Sequence, residues 1–291
     1  MKTTFCHAMT GDGLRLAGLL FEPDIKTKTV ILHLHGRAGN FYSNTFLDAM
    51  IDGYTKAGLA FLGVNTRGHD QIADFRVGKT QQIRRIGQAF DIFGDCLLDI
   101  TAWLDFLKDS GYERIILQGH SHGAAKAVYF LSKFPRPEII ALVLASPADA
   151  AGLLKKTDQL SFDRDLAEAN ELVAHGLGSQ LLAHKIRDWY YVSAKGFADE
   201  FGKNSKANIF PISGNGEFKE LADIKIPVLA FYGSKEDIAI LSPQDDLEII
   251  GKHLGNPKSK KLIVSGADHT YLGHEDGIAN EIATWIKEII R

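Results

Sequence analysis

Cysteine is nearly absent from the 291-residue chain, which carries only Cys6 and Cys96. Two cysteines so far apart make no disulfide framework, so the stapled secreted scaffolds are excluded and two free thiols are expected. Long hydrophobic runs are also missing. No segment approaches the ~20 apolar residues that a membrane span requires, and Met1-Lys2-Thr3-Thr4-Phe5 has no apolar export core. A cytoplasmic protein without membrane attachment is the expectation. Nor does one sign of charge dominate: 33 Lys and Arg stand against 36 Asp and Glu, a formal net of -3. The basic residues are scattered, which argues against nucleic acid or an anionic membrane as partner. A small molecule is the default ligand, and a homodimer is compatible with this composition. Internal repeats and low-complexity tracts are absent.

What the chain does have is a hydrophobic content of 45%, ample for a core, and one stretch that organises the rest. Arg114-Ile115-Ile116-Leu117-Gln118 is a β-branched apolar run that halts at Gly119. After His120-Ser121-His122-Gly123 an Ala-rich helical pattern begins at once, so Ser121 sits on a strand-to-helix bend, a nucleophile elbow. The spacing has a steric reason. A serine lifted out on so tight a turn leaves no room for side chains two positions before and after it, and Gly119 and Gly123 supply none. The same bend puts Ser121 at a helix N-terminus, where unpaired N–H groups favour a developing negative charge. In a chain with 28 glycines the string G-x-S-x-G could equally be an ordinary Gly-Ser turn. The strand before it and the helix after it favour the elbow.

In chain order, residues 1 to 29 alternate apolar and polar around Thr10-Gly11-Asp12-Gly13, which reads as an antiparallel hairpin. Two apolar strands, Thr29 to His35 and Ala60 to Asn65, flank a helix near Thr45 to Lys56, the rhythm of a parallel sheet. A charged loop, Gln71 to Arg85, leads to a helix near Phe90 to Lys108 whose Ile92, Cys96, Ile100, Trp103 and Leu107 share a face. After the elbow comes a buried strand, Ile139 to Ala145. From Ala148 to Gly216 no β-rich run occurs, while helical patterns at Asp163 to His175 and Ser179 to Trp189 suggest an insertion folded as a helical lid. The sheet resumes with Ile226 to Gly233, a helix from Pro243 to Leu254, a strand from Lys261 to Ser265 and a closing helix from Ile278 to Ile290. The expected organisation is therefore a core of residues 1–147 and 217–291 interrupted by a lid of residues 148–216.

With Gly119-His120-Ser121-His122-Gly123 after the middle strand and a helical insertion before the last two, the order of elements resembles the α/β-hydrolase superfamily. That resemblance covers essentially the whole core and implies a mostly parallel central sheet flanked by helices. The segment Tyr191 to Phe197 with Asn208-Ile209-Phe210 is also similar to a group that includes fungal hydroxamate-siderophore esterases. A serine hydroxyl needs a positioned base. The resemblance puts that base on the loop after the last strand, where His269 in Gly266-Ala267-Asp268-His269 comes first and His274 is the alternative. It puts the acid after the preceding strand, in Gly233-Ser234-Lys235-Glu236-Asp237. There Asp237 is the expected acid and Glu236 its rival, since adjacent side chains diverge and only one can face His269. For the oxyanion hole it implies the backbone N–H of His122 and that of Arg37, which follows His35-Gly36, with Ala38 as alternative. The Arg37 guanidinium would be free to reach an anionic part of the substrate. Arg67-Gly68-His69 matches a strand-end motif of the superfamily and is expected to brace loops. Trp189, Tyr190 and Tyr191 are expected to pack the lid.

Eleven histidines invite a metal, because His33/His35 and His120/His122 are alternating pairs. Zinc sites want three or four convergent ligands, and both pairs lie where the hydrolase reading already uses them, so no metal and no cofactor are expected. The expected activity is serine hydrolysis of a carboxylic ester or lactone through an acyl-enzyme. Thioesters, amides, C–C bond hydrolysis or lysis, and a ligand receptor on the same scaffold are the alternatives.

Overall fold

The computed structural model describes residues 1–43, 46–78, 80–214 and 216–290. Strands β1 (Lys2–Met9) and β2 (Arg15–Glu22) form the expected hairpin, with Met9 opposite Arg15. β3 (Thr29–Leu34), α1 (Phe46–Lys56) and β4 (Ala60–Val64) follow; Thr45, the expected start of α1, lies outside the described residues. β5 (Ala73–Arg76) and β6 (Ile83–Ile86) pair in a small antiparallel hairpin where the sequence suggested only a charged loop. Two short 3-10 turns lead into α2 (Cys96–Asp109), then β7 (Arg114–His120), α3 (His122–Lys133) and β8 (Ile139–Ala145). Next come α4 (Ala150–Ala174), α5 (Ala194–Phe201), α6 (Lys219–Ala222), β9 (Val228–Gly233), α7 (Pro243–Gly251), β10 (Lys260–Val264) and α8 (Glu275–Ile290).

Eight strands make one sheet in the order β1-β2-β4-β3-β7-β8-β9-β10. From β4 to β10 every pairing is parallel, and β2 alone runs against the rest, pairing antiparallel with both β1 and β4. The central parallel strands are mostly apolar because helices cover both faces. Alternation then sorts their side chains. Val30, Leu32, Leu117, Leu142 and Leu144 face the layer containing α2, α3 and α7. Ile31, Ile116, Ala141 and Val143 face α1 and α8. Both cysteines are buried and free. Among the described residues no helix is long and apolar enough to cross a membrane.

Between β8 and β9 the insertion has a small core of its own, built from Phe162, Ala169, Ile186, Val192, Phe197 and Phe201 among others. Asp149 caps α4 by accepting the Gly152 N–H. Inside α4 the backbone breaks at Asp158, whose carboxylate receives the N–H and hydroxyl of Ser161 and so starts a second helical segment. That segment contains the expected Asp163 to His175 helix. Residues Ser179 to Trp189 are not helical: they run as bends pinned by isolated bridges between Leu181 and Ser193 and between Ile186 and Tyr190.

Arg67 braces the loops at the sheet's carboxyl edge. Its guanidinium holds Asp99 of α2, Asp95 before it and Asp12 of the first hairpin turn, with contacts between 2.8 and 3.1 Å.

Candidate active site

Everything at this site follows from how β7 turns into α3. Ser121 lies between them with φ 53° and ψ -119°, a conformation that an L-residue holds only under constraint. The constraint is visible. Its N–H donates to the carbonyl of Ala145 at 2.8 Å, and its own carbonyl accepts the N–H of Ala124 at 2.9 Å. A Cβ on Gly119 would sit 2.4 Å from the carbonyl oxygen of Gly123, and one on Gly123 would sit 2.5 Å from the carbonyls of Leu34 and His35. All these obstacles are backbone. Gly123→Ala is therefore expected to destabilise the fold by at least ~2 kcal/mol in urea unfolding. Gly277→Ala in α8, where an added Cβ meets nothing within 4 Å, should be neutral or stabilising.

Two backbone N–H groups stand beside the serine. Those of Arg37 and His122 have no hydrogen-bond partner among the described residues, and both residues line a cavity of about 410 Å³ together with Ser121 and His269. His35 sets the first of them. Its Nε2 accepts the Thr66 N–H at 3.1 Å, so its Nδ1 carries the proton and donates to the Gly36 carbonyl at 2.7 Å. Gly39 donates to the same oxygen. In a trans peptide the next N–H points the opposite way, so fixing this carbonyl fixes the Arg37 amide. The Arg37 guanidinium is not available to a substrate: it grips Glu200 of α5 through both nitrogens, one at 2.9 Å, and lies 4.9 Å over the Tyr190 ring.

His269, on the loop between β10 and α8, meets a carboxylate. Its Nδ1 lies 2.8 Å from Glu236 Oε1. An ionised carboxylate only accepts, so Nδ1 holds the proton and Nε2 keeps its lone pair. Glu236 is the neighbour of the expected Asp237, which is exposed to solvent and forms no hydrogen bond to the imidazole. The turn after β9 sends the two side chains apart. Glu236 donates its N–H back to Gly233 and sends its side chain inward, fully enclosed, so Asp237 faces the cavity mouth. His120 secures the same loop by hydrogen-bonding the His269 carbonyl at 3.0 Å, its ring 4.6 Å from that of His269. His274 lines a different depression with Val264 and Ile278. Ser121 Oγ has no hydrogen-bond partner among the described residues, so what joins it to His269 here is the shared cavity wall.

The histidine pairs are engaged by protein. His33 Nδ1 pairs with Gln118 at 2.9 Å, and His35 is spent as described. Burial pushes both rings down to about 3, and it also lowers His120 and His122, the latter helped by Arg37 and Lys126. Two groupings of possible metal ligands occur among the described residues: Glu236 with Asp237 and His269, and Asp165 with Glu168 and His184. In the first, Nδ1 is taken by Glu236. In the second, Arg164 already bonds Asp165 and His184, and Glu168 accepts the Ala183 N–H.

The neutral histidines set an acid limit on stability. Unfolded, each would bind a proton below about pH 6.5; folded, each resists it, so stability present above that pH is lost as pH falls. Each ring contributes up to about 1.4 kcal/mol per pH unit. The urea midpoint is expected to fall steadily from pH 6.5 downward, and an unchanged midpoint between pH 7.5 and 5 would contradict neutral, buried rings.

Sequence reasoning missed Glu200, Ser146 and Tyr271, all brought in by tertiary packing. Only the Ser146-Pro147 pair at a strand end offered any signal. Residues 29–273 match the family described as alpha/beta hydrolase fold. No curated protein matches the chain in sequence. Among solved structures it is similar to Est1E from Butyrivibrio proteoclasticus, with 16% identity over 98% of both chains and a TM-score of 0.64. It is likewise similar to an esterase from Pyrococcus furiosus (19% identity, 99% of this chain and 90% of that one, TM-score 0.63). A monoacylglycerol lipase from Paleococcus ferrophilus gives 18% identity over 94% of this chain and 99% of the other, with a TM-score of 0.64.

Proposed function

The chain belongs to the α/β-hydrolase fold family, and on that premise we propose that it is a serine hydrolase cleaving a carboxylic ester or lactone of a small molecule through an acyl-enzyme. The observation that carries this reading is the bond from His269 Nδ1 to the enclosed carboxylate of Glu236, with His269 lining a cavity shared with Ser121 and with Arg37 and His122, whose N–H groups have no partner among the described residues. The esterases and the lipase of similar fold support the ester class.

Ser121 Oγ attacks the carbonyl carbon while His269 Nε2 takes its proton, and Glu236 offsets the charge that the imidazole gains. The oxyanion settles on the Arg37 and His122 amides, each worth roughly 3 kcal/mol to the transition state. Collapse expels the alkoxide, which receives the proton from His269. Water, deprotonated by His269, then attacks the acyl-serine and restores the hydroxyl. Residues 148–216 act as the lid: Leu153, Leu154, Arg187, Trp189 and Tyr190 complete the cavity wall, and Glu200 clamps α5 to the oxyanion loop through Arg37. Leu153, Leu154, Trp189 and Ile238 give the otherwise mixed wall an apolar part suited to an acyl chain, and the cavity volume falls in the range for small ligands.

The test is turnover of p-nitrophenyl butyrate together with fluorophosphonate labelling mapped by peptide mass. Turnover with label on Ser121 is expected. Neither turnover nor label would overturn the hydrolase and favour a receptor, and turnover of β-diketones but not esters would favour the C–C reading.

A further inference from the structure

Behind Glu236 lies a pair of hydroxyls that the reaction just described does not use. The carboxylate's far oxygen, Oε2, contacts Ser146 Oγ, and Ser146 Oγ lies 2.5 Å from the Tyr271 hydroxyl. Ser146 and Tyr271 are fully buried. Ser146 comes directly after β8, with its N–H held by the Phe231 carbonyl of β9. Tyr271 lies two residues past His269, its ring against Phe46, Phe231 and His120.

The direction of this chain is fixed by proton counting. An ionised Glu236 brings no hydrogen, so Ser146 must donate to Oε2. Its single hydrogen is then spent, and the contact with Tyr271 requires the phenol to donate to Ser146. Burial pushes the Tyr271 phenol well above its ordinary value, which keeps that donor protonated. The backbone adds an independent sign. Ser146 has φ 46° and Tyr271 has φ 58°, the left-handed region in which non-glycine residues are held at a cost of about 1–3 kcal/mol. Two strained residues from separate segments thus stand in line behind one carboxylate oxygen, Ser146 on Oε2 and Tyr271 on Ser146.

We propose that Ser146 and Tyr271 are positioning residues for the reaction, a one-way hydrogen-bond relay that orients Glu236 opposite His269. The inference rests on the hydrolase reading and on Glu236 as its acid. Other groups facing this carboxylate are the His269 imidazole, the Asp237 carboxylate beside it and the buried Tyr232 phenol of β9; Asp268 lies on the Tyr271 side. None of these donates a hydrogen bond to Oε2.

The test compares Ser146→Ala, Ser146→Gly and Tyr271→Phe with the wild-type full chain, following kcat and KM for p-nitrophenyl butyrate from pH 5 to 9. Glycine removes the hydroxyl and relieves the strain, whereas alanine removes the hydroxyl and keeps it. Both are expected to lower kcat by about 10- to 100-fold with KM nearly unchanged, the worth of a hydrogen bond to a charged group. Without its donor the carboxylate is more basic and holds the imidazolium more tightly, so the acid limb of kcat/KM should move to higher pH. Tyr271→Phe should move the same limb in the same direction by less, and it carries the test alone should the Ser146 variants not fold. An unmoved limb in a folded variant, or a loss that glycine restores, would overturn the relay and leave a packing role. Absence of wild-type turnover and serine labelling would instead mark failure of the hydrolase reading.

Discussion

Ser121→Ala is expected to lower kcat for an activated ester by about 10⁶-fold and to abolish fluorophosphonate labelling, leaving only what the amides and the cavity contribute. No other side chain in the cavity can substitute. Thr270 lines it, but its hydroxyl is bound to Asp268 and makes no hydrogen bond to His269. Both cysteine thiols are buried and pushed up by that burial, Cys6 in β1 and Cys96 at the start of α2. The same variant should fold with stability within ~0.5 kcal/mol of the original, because alanine meets the φ 53° constraint at the same cost as serine. Ser121→Gly should be as inactive and yet more stable by about 1 kcal/mol, since glycine holds that conformation freely. Stability and activity moving in opposite directions at one atom would mark the strain as the cost of exposing the nucleophile. A Ser121→Gly variant no more stable than wild type would remove that argument.

The parts of this fold legible in the sequence are those with local causes. Ile139 to Ala145 reads as a buried strand because every residue is apolar, and β8 has those limits. Gly119 announces the elbow because its missing side chain leaves room for Gly123 four residues on, while Gly123 clears the carbonyls of Leu34 and His35 at the end of β3. The insertion was harder. Leu181, Leu182, Ile186 and Tyr190 have helical spacing, yet bridges to Tyr190 and Ser193 hold the chain in bends, and the helical element that packs there is α5, capped by Ser193. Between Glu236 and Asp237 no local rule decides. The choice depends on which side chain points beneath the loop toward Ser146, a residue 90 positions earlier. Arg37 shows the same limit: its amide follows from His35-Gly36, while its guanidinium answers to Glu200, 163 positions away.

Glu236→Gln is expected to lower kcat by about 10⁴-fold, the scale seen when a triad carboxylate becomes an amide in a serine protease. The hydrogen bonds already present give the cause. Ser146, with its hydrogen directed at position 236, draws the amide oxygen to its side, so the amide NH₂ turns toward His269 Nδ1. An imidazole facing a donor at Nδ1 must accept there and carry its proton on Nε2, the tautomer that cannot take a proton from Ser121. KM should change little, because Glu236 is enclosed and meets no substrate. Asp237→Asn, by contrast, alters an exposed group at the cavity mouth and should keep kcat within about tenfold, since it leaves the tautomer alone. Steady-state kinetics of the two single variants separates the assignments. If the asparagine variant lost four orders of magnitude and the glutamine variant did not, Asp237 would be the acid and the hydrogen bond at 2.8 Å between His269 and Glu236 a structural prop.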